Sequence, residues 1–208
     1  MKTNKAIVLF AQRIRSLAQN GLVYTKNEYD IERYTELLQI SDAMVSEVTA
    51  CDTIEVASSY LPAKEYVTPK VDIRAVVFND QDQILLVRER SDGLWSLPGG
   101  WADVGFTPKE IAVKEVFEET GLKVHADRLL AVMDMREHDH PAIPFYVYKF
   151  FILCKPIGGV FTDAFDILDK GFFSIDHLPP LSLERVLPEQ IRYMFDVRNN
   201  PEQAVYLD

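Results

Sequence analysis

Apolar residues in the first fifty positions recur at intervals of three and four, which is the spacing of an amphipathic helix. This pattern predicts a first helix over residues 4–19, ended by Asn20-Gly21, because glycine readily adopts the left-handed conformation that closes a helix. A second helix is predicted over residues 27–46, with Asn27 as its cap. The first stripe consists of Ile7, Phe10, Ala11, Ile14 and Leu17.

Residues 52–69 show no sustained helical period and end in Thr68-Pro69. Proline biases the residue before it toward extended conformations, so we place a domain boundary near residue 66. The chain is therefore predicted to comprise a helical hairpin over residues 1–66 and a second domain over residues 67–208.

From Lys70 the pattern changes to an alternation of apolar and polar residues, which is typical of strands. A strand that begins at residue 70, a turn at residues 79–82 and a strand at 84–87 together predict a β-hairpin. Further strands are expected at residues 122–135, 145–154 and 165–173, with Gly158-Gly159 as a turn and a helix after Leu183. One long helix among many strands predicts an α/β fold, a mixed-sheet α/β/α sandwich.

The formal net charge of −10 disfavours binding to nucleic acid or to an anionic membrane. The apolar run at residues 6–11 is too short for a signal-peptide core or a membrane span, so we expect a cytoplasmic protein. Cys51 and Cys154 are about a hundred positions apart and lack zinc-ligand spacing, so we interpret both as free buried thiols.

The helix predicted over residues 107–120 carries the main candidate chemistry. Thr107 fits its cap and Gly121 its end, and Glu115, Glu118 and Glu119 fall within an arc of about 100°. Clustered carboxylates repel one another, and Mg²⁺ or Mn²⁺ would remove that penalty. The alternative is that the acidic side is only a solvated face. In either case Val113, Val116 and Phe117 fall largely on the other side of the helix, where they can pack.

Residues 97–122, LPGGWADVGFTPKEIAVKEVFEETGL, resemble the Nudix box, G-x5-E-x7-R-E-U-x-E-E-x-G-U with U apolar. The box positions that match are Gly100, Glu115, Val116, Glu118, Glu119, Gly121 and Leu122. Two positions depart from it, since Phe106 replaces a glutamate and Lys114 an arginine that generally support the loop and helix. The acidic metal-binding positions are retained.

The resemblance implies a Nudix fold and a divalent metal, Mg²⁺ or alternatively Mn²⁺. It implies Glu115 and Glu119 as principal ligands, Glu118 as a ligand or proton acceptor, and the Gly100 carbonyl as an additional ligand. Family members often use a further acidic group outside the box, for which Asp166 and Asp169 are the candidates here; a solvated loop is the alternative for both.

Four basic side chains are candidates for substrate contacts. Arg74 and Arg88 lie on predicted strands and could hold phosphate oxygens, although surface ion pairs would explain them equally well. His138 and His140 lie in the loop Arg136-Glu137-His138-Asp139-His140-Pro141, which is either a substrate loop or an ordinary polar loop.

The N-terminal segment, including GLVYTKNEYDIERY at residues 21–34, resembles the extension of Nudix enzymes that act on X-linked nucleoside diphosphates. That resemblance implies a homodimer and a small nucleotide conjugate such as CDP-choline or ADP-ribose, cleaved at its pyrophosphate. The hairpin would serve pairing or substrate enclosure. The alternatives are a non-catalytic nucleotide sensor or regulator, and a hydrolase of nucleoside triphosphates.

Overall fold

The computed structural model describes residues 2–48, 53–58, 66–144, 146–198, 200 and 202–208. These residues form two compact units. One contains Met1–Pro69 together with Ala142–Tyr146, and the other contains Lys70–Pro141 together with Val147–Asp208. Each unit has its own apolar core, so their elements are described separately.

The first unit is helical. Its helices are α1 (Lys2–Tyr24), α2 (Glu28–Val48) and the short α3 (Thr53–Ser58). Asn27 caps α2 as predicted, because its side-chain oxygen accepts hydrogen bonds from the backbone N–H groups of Tyr29 at 2.9 Å and Asp30 at 3.3 Å. The six-residue α3 lies in a segment for which the sequence pattern indicated no helix.

The predicted helix end at Asn20-Gly21 is wrong, since α1 continues through both residues to Tyr24. The physical reason is tertiary contact. A Cβ atom placed on Gly21 would lie 2.4 Å from the ring of Tyr34, so glycine here allows α2 to approach α1 closely. The packing against Tyr34 explains a glycine that local sequence rules assign to a helix terminus.

A buried ion pair joins α1 and α2. The guanidinium of Arg15 contacts the carboxylate of Asp42, and both side chains are less than a tenth exposed. Beside it, the Ser41 hydroxyl donates a hydrogen bond to the carbonyl oxygen of Ala11 at 2.9 Å. These polar contacts accompany a small apolar core in which Ala11, Val45 and Val56 are buried. Cys51, predicted to be a buried thiol, lies outside the described residues.

The second unit contains two β-sheets, two α-helices and short 3₁₀ turns. The five-stranded mixed sheet has the order β4-β1-β6-β5-β8, and the three-stranded antiparallel sheet has the order β3-β2-β7. The predicted mixed-sheet α/β architecture with an N-terminal helical region is therefore confirmed. The elements are β1 (Lys70–Val77), β2 (Ile84–Glu89), β3 (Trp95–Ser96), β4 (Gly99–Trp101), α4 (Pro108–Thr120), β5 (Leu122–Asp134), β6 (Val147–Gly159), β7 (Ile167–Phe173), α5 (Pro188–Val197) and β8 (Tyr206–Leu207).

The predicted β-hairpin formed by β1 and β2 is wrong, although both strands exist. They meet at the isolated bridge between Phe78 and Ile84 and then enter different sheets. β1 pairs with β4 and β6, whereas β2 pairs with β3 and β7. An alternating pattern identifies a strand but does not specify its hydrogen-bonded neighbour, which depends on long-range pairing.

Gly158-Gly159 is not a turn, because both residues lie within β6 and pair with the start of β5. Gly159 has a φ of 91°, and a Cβ atom there would lie 2.5 Å from the carbonyl oxygen of Gly121. Gly159 thus allows a close backbone approach at the end of α4, whereas a Cβ atom on Gly158 would have no neighbour within 4 Å. The extended pairing makes β6 longer than the predicted strand.

Both faces of β1 are buried, because other elements of the second unit pack on each side of the strand. Ile73, Ala75 and Val77 pack in the cluster that contains Ile111 and Val116 of α4. The opposite face of the strand packs in a second cluster, whose members come from both sheets and α5. Of the α4 residues predicted to be packed, Val116 is fully buried, but Phe117 is about half exposed.

Among the described residues, no helix combines the length and the apolar character that are needed to cross a bilayer.

Candidate active site on α4 and β4

Local sequence signals fix both ends of α4. The Thr107 hydroxyl accepts a hydrogen bond from the Glu110 N–H at 3.3 Å, and the Glu110 carboxylate accepts one from the Thr107 N–H at 2.8 Å. This is a reciprocal capping box, followed by Pro108 in the first turn. Gly121 ends the helix with a φ of 80°. The helix predicted over residues 107–120 is confirmed.

β4 brings two glycines against the acidic side of α4. The N–H of Gly99 donates a hydrogen bond to the carboxylate of Glu119 at 3.2 Å. A Cβ atom on Gly100 would lie 3.4 Å from the carboxyl carbon and both oxygens of Glu115. Glu115 and Glu119, one helical turn apart, therefore converge on the Gly99-Gly100 backbone.

These two glutamates are shielded from water, and their acidity changes accordingly. Burial raises the pKa of Glu119 well above its usual value, and the nearby charge of Arg74 opposes that rise. Burial also raises the pKa of Glu115, while Lys114 lowers it and Glu118 raises it further. Both carboxylates are thus costly to ionise unless a positive charge lies close by.

Lys114 supplies one such charge. Its ammonium nitrogen lies 3.3 Å from Glu115 Oε1, 3.2 Å from Glu118 Oε2 and 3.4 Å from Asp103 Oδ2. The hydrogen bond with Glu118 is the main cause of a raised pKa of Lys114. Lys114 thereby links Glu115 with Glu118, whose side chain is 56% exposed, compared with 15% for Glu115.

The three predicted metal ligands are only partly assembled. Within the described part of the chain, no three acidic, histidine or cysteine side chains stand together as a ready-made cation site. Glu115 and Glu119 interact, whereas Glu118 turns toward Lys114 and solvent. The buried carboxylate of Glu119 and the partly buried carboxylate of Glu115 lie beside an open glycine backbone. They nevertheless fit the oxygen-donor chemistry that a divalent cation requires.

Two family profiles match the chain. A profile described as the NUDIX domain matches residues 68–194. The chain belongs to the Nudix family. The second profile, described as a UDP-X-like N-terminal oligomerisation domain, matches residues 5–59. Nudix hydrolases generally use divalent metal cations, and the box residues described above supply carboxylates of the appropriate kind.

Individual relatives extend this agreement. YjhB of Bacillus subtilis (strain 168), provisionally named an ADP-ribose pyrophosphatase, is 42% identical over 198 residues, which cover 95% of each chain. A crystal structure of an ADP-ribose pyrophosphatase from Streptococcus suis is 44% identical and has a TM-score of 0.62, covering 68% of this chain and all of that one. A UDP-X diphosphatase structure is 36% identical with a TM-score of 0.64, covering 99% of each chain. The chain is thus a Nudix pyrophosphatase.

Arg74 and His140 of this Nudix pyrophosphatase are not placed as predicted. Arg74 is only 6% exposed, and its donors are directed to the Asp72 carboxylate and the Leu97 carbonyl oxygen. His140 is 2% exposed, with Nδ1 2.6 Å from the Leu183 carbonyl oxygen. The substrate contacts predicted for both are corrected, because buried groups with internal partners are not presented to a ligand.

Of the other candidate residues, Arg88 and Asp166 are exposed, whereas the side chain of His138 is only 16% exposed. Arg88 on β2 is exposed, and its Nε donates a hydrogen bond to the Gly93 carbonyl oxygen at 2.8 Å. His138 Nε2 lies 3.1 Å from the carboxylate of Asp208. Asp166 is exposed just before β7, and its backbone carbonyl oxygen accepts a hydrogen bond from the Arg90 N–H at 2.7 Å. Their functional roles remain predictions.

The structure adds polar residues that the sequence reasoning missed. Glu89, at the end of β2, contributes to the electrostatic environment of Glu119 and forms an ion pair with Arg185 at 2.8 Å. Lys149 lies in the mostly apolar first part of β6, is 2% exposed, and contacts the Asp72 carboxylate at 2.6 Å. A lysine inside an apolar run was the available signal, because a buried cation requires a nearby anion.

Proposed function

We propose that this Nudix pyrophosphatase hydrolyses the pyrophosphate bond of a nucleoside diphosphate linked to a second group, X. The products would be a nucleoside monophosphate and phosphorylated X. One observation carries the proposal: Glu115 and Glu119 converge on the Gly99-Gly100 backbone in a chain whose N-terminal region matches a UDP-X-like profile. Full-length similarity to a UDP-X diphosphatase structure supports the same substrate class.

The candidate substrates are ADP-ribose, UDP linked to a group X, and CDP-choline. The first two follow the names of relatives that match this chain, and all three share a pyrophosphate between a nucleoside and X. Because the net charge of the protein is −10, attraction of such an anionic substrate requires local positive charge at the site. A bound divalent cation would supply it.

We infer that Mg²⁺, or Mn²⁺ in its place, is held by Glu115, Glu119 and Glu118, with the Gly100 carbonyl as a further ligand. When bound, such a cation polarises the attacked phosphorus and makes a water molecule more acidic. Within the protein, Glu119 is held by the Gly99 N–H and Glu115 lies against Gly100. Both contacts orient carboxylates before any ligand arrives.

Glu118 and Asp166 are the candidate proton acceptors for the attacking water. Glu118 is more than half exposed, and its carboxylate lies 3.2 Å from the ammonium of Lys114. Asp166 is exposed in the segment before β7. If Glu118 is the acceptor, Glu118→Gln should lower kcat by about 10² to 10⁴-fold while KM changes little. If Asp166 is the acceptor, Asp166→Asn should have this effect instead.

Arg88, which is exposed, and His138, whose side chain is 16% exposed, are the remaining candidates for contacts to substrate phosphate or to X. A substrate-contacting role predicts that Arg88→Gln or His138→Gln raises KM more than it lowers kcat, because ground-state binding is lost. The alternatives, an ordinary polar loop for His138 and a surface ion pair for Arg88, predict unchanged kinetics for the two variants.

The N-terminal helices are proposed to form a homodimer. Phe10, Leu17 and Tyr24 are 53%, 68% and 71% exposed, and they recur every seven residues along α1. A repeat of seven places apolar side chains along one side of a helix, where a second helix can cover them. Leu17→Glu should lower the molar mass measured by light scattering, whereas Gln39→Glu, at an exposed polar position of α2, should keep the wild-type mass.

A substrate panel tests the central proposal. Purified protein is incubated with Mg²⁺ and, separately, ADP-ribose, UDP-glucose, CDP-choline and nucleoside triphosphates, and the products are identified. Formation of a nucleoside monophosphate and phosphorylated X, abolished by Glu119→Gln, supports it. Preferred release of pyrophosphate from triphosphates would contradict the substrate class. Tight nucleotide binding without any product would instead favour a sensor.

A further inference from the structure

The guanidinium of Arg74 is held rigidly inside the second unit. Its Nε donates a hydrogen bond to Asp72 Oδ2 at 3.0 Å, and its Nη2 lies 2.9 Å from Asp72 Oδ1. Its Nη1 donates a third contact to the Leu97 carbonyl oxygen at 3.1 Å. A two-point contact with a carboxylate fixes the plane of the guanidinium as well as its position.

Asp72 is itself held from the neighbouring strand. Lys149 on β6 stands directly opposite Asp72 in the β1–β6 pairing, and its ammonium contacts Asp72 Oδ2 at 2.6 Å. The same ammonium donates a hydrogen bond to the Arg185 carbonyl oxygen at 2.9 Å. Because Asp72 and Lys149 are each only 2% exposed, water does not compete effectively for these contacts.

A carboxylate of the acidic site lies near this buried group. Glu119 is 6% exposed, and the charges of Glu119 and Glu89 both act on Arg74.

Gly99 of β4 connects the strand of Arg74 with Glu119. Gly99 is the cross-strand partner of Arg74 in the β1–β4 pairing, and the same Gly99 donates its N–H to Glu119. Glu119 therefore accepts a backbone hydrogen bond from the segment that Arg74 also contacts, through the Leu97 carbonyl oxygen. Lys114, by contrast, contacts Glu115 and Glu118.

We propose that Arg74, fixed by Asp72 and Lys149, is a positioning residue. It anchors the backbone through the Leu97 carbonyl oxygen, and the Gly99 N–H two residues further on holds the Glu119 carboxylate ready for the divalent cation. Two cationic side chains thus support the acidic site. Arg74 acts on Glu119, and Lys114 contacts Glu115 and Glu118. The inference rests on the proposed role of Glu119 as a metal ligand. Arg74 acts through Glu119 and does not contact the substrate.

The test measures Mn²⁺ binding to the metal-free, full-length protein by electron paramagnetic resonance, independently of turnover. Arg74→Gln should weaken Mn²⁺ binding about 10- to 100-fold, the usual effect of removing a group that orients a metal ligand. In turnover assays, kcat at low Mn²⁺ should fall, and excess Mn²⁺ should restore most of it while KM stays unchanged. A purely structural role would not give this rescue by metal.

Arg198→Gln is the matched control. Arg198 is another largely buried arginine of the same unit, and it pairs with Asp82 at 2.5 Å. Its loss should lower thermal stability but leave Mn²⁺ affinity at the wild-type value. If Arg74→Gln does not fold, Mn²⁺ affinity is measured for Arg74→Lys instead, because lysine keeps the charge without the two-point contact. A loss of Mn²⁺ affinity in Arg74→Lys supports positioning.

Glu119→Gln separates the two possible failures. If Glu119→Gln binds Mn²⁺ as tightly as the wild type, Glu119 is not a metal ligand and the proposed function fails at that residue. If Glu119→Gln weakens binding but folded Arg74→Gln or Arg74→Lys does not, the metal site stands and the positioning role of Arg74 is overturned.

Discussion

Protonation of the buried His140 should destabilise the second unit in mild acid. The Nδ1 of His140 faces the Leu183 carbonyl oxygen, so this nitrogen carries the proton of the neutral ring. Nε2 lies 3.1 Å from the amide nitrogen of Gln190, whose own oxygen is engaged by the Leu187 N–H. Nε2 must therefore accept a hydrogen bond, and a proton added there would face a donor.

Burial, reinforced by the positive charge of Lys149, lowers the pKa of His140 from 6.5 to about 4. Between these two values the unfolded chain binds a proton that the folded chain does not. Stability therefore rises with pH in this window, and the contribution of His140 is lost as pH falls from about 6.5 toward 4. The linkage relation gives a loss of about 2 kcal/mol between pH 7 and pH 5 from this residue alone.

Urea unfolding at pH 7 and pH 5, followed by tryptophan fluorescence, measures the effect. Both tryptophans, Trp95 and Trp101, lie in the second unit, so the signal reports on that unit. His140→Asn retains an N–H for Leu183 and removes the titration. Between pH 7 and pH 5, the free energy of unfolding of His140→Asn should change by about 2 kcal/mol less than that of the wild type. His125→Gln, at an exposed position, should show the same change as the wild type. Equal pH dependence in His140→Asn and wild type would refute the reasoning.

Three further predictions follow from local geometry. A methyl group on Gly99 would lie 2.0 Å from the backbone oxygen of Ile73 at a φ of 149°, so Gly99→Ala should cost about 3 kcal/mol in urea unfolding; wild-type stability would contradict this. Thr107→Ala removes the α4 cap and should cost about 1 kcal/mol by the same assay, whereas Thr107→Ser should retain most of that stability. Burial raises the pKa of Cys154 to about 12, so a Cys51→Ser variant should resist a thiol reagent at pH 8 until denaturant is added, and rapid labelling would contradict the burial argument.

The sequence was sufficient for features that depend on near neighbours in the chain. The limits of α4 follow from Thr107, Pro108 and Gly121, because capping and helix termination involve atoms within one turn. The Asn27 cap was predicted correctly for the same reason. The box spacing likewise identified the family, since the separation of the glutamates is a property of one helix.

Contacts between distant segments were not predictable in this way. The pair Asn20-Gly21 is typical of a helix terminus, yet the role of Gly21 depends on its contact with Tyr34 from the next helix. Gly158-Gly159 resembles a turn, but pairing with β5 makes it part of a strand. In both cases a glycine matters because another segment approaches it, and the local pattern does not specify which segment.

The candidate site shows the same division. The positions of Glu115, Glu118 and Glu119 on α4 were fixed by their helical spacing, but which of them are shielded was decided by β4 and Lys114. In the sequence, Arg74 occupies a polar position in an alternating strand pattern, which is where a surface arginine would also lie. Only the folded sheet places Asp72 and Lys149 around it, because ion pairing across strands depends on register and on the exclusion of water.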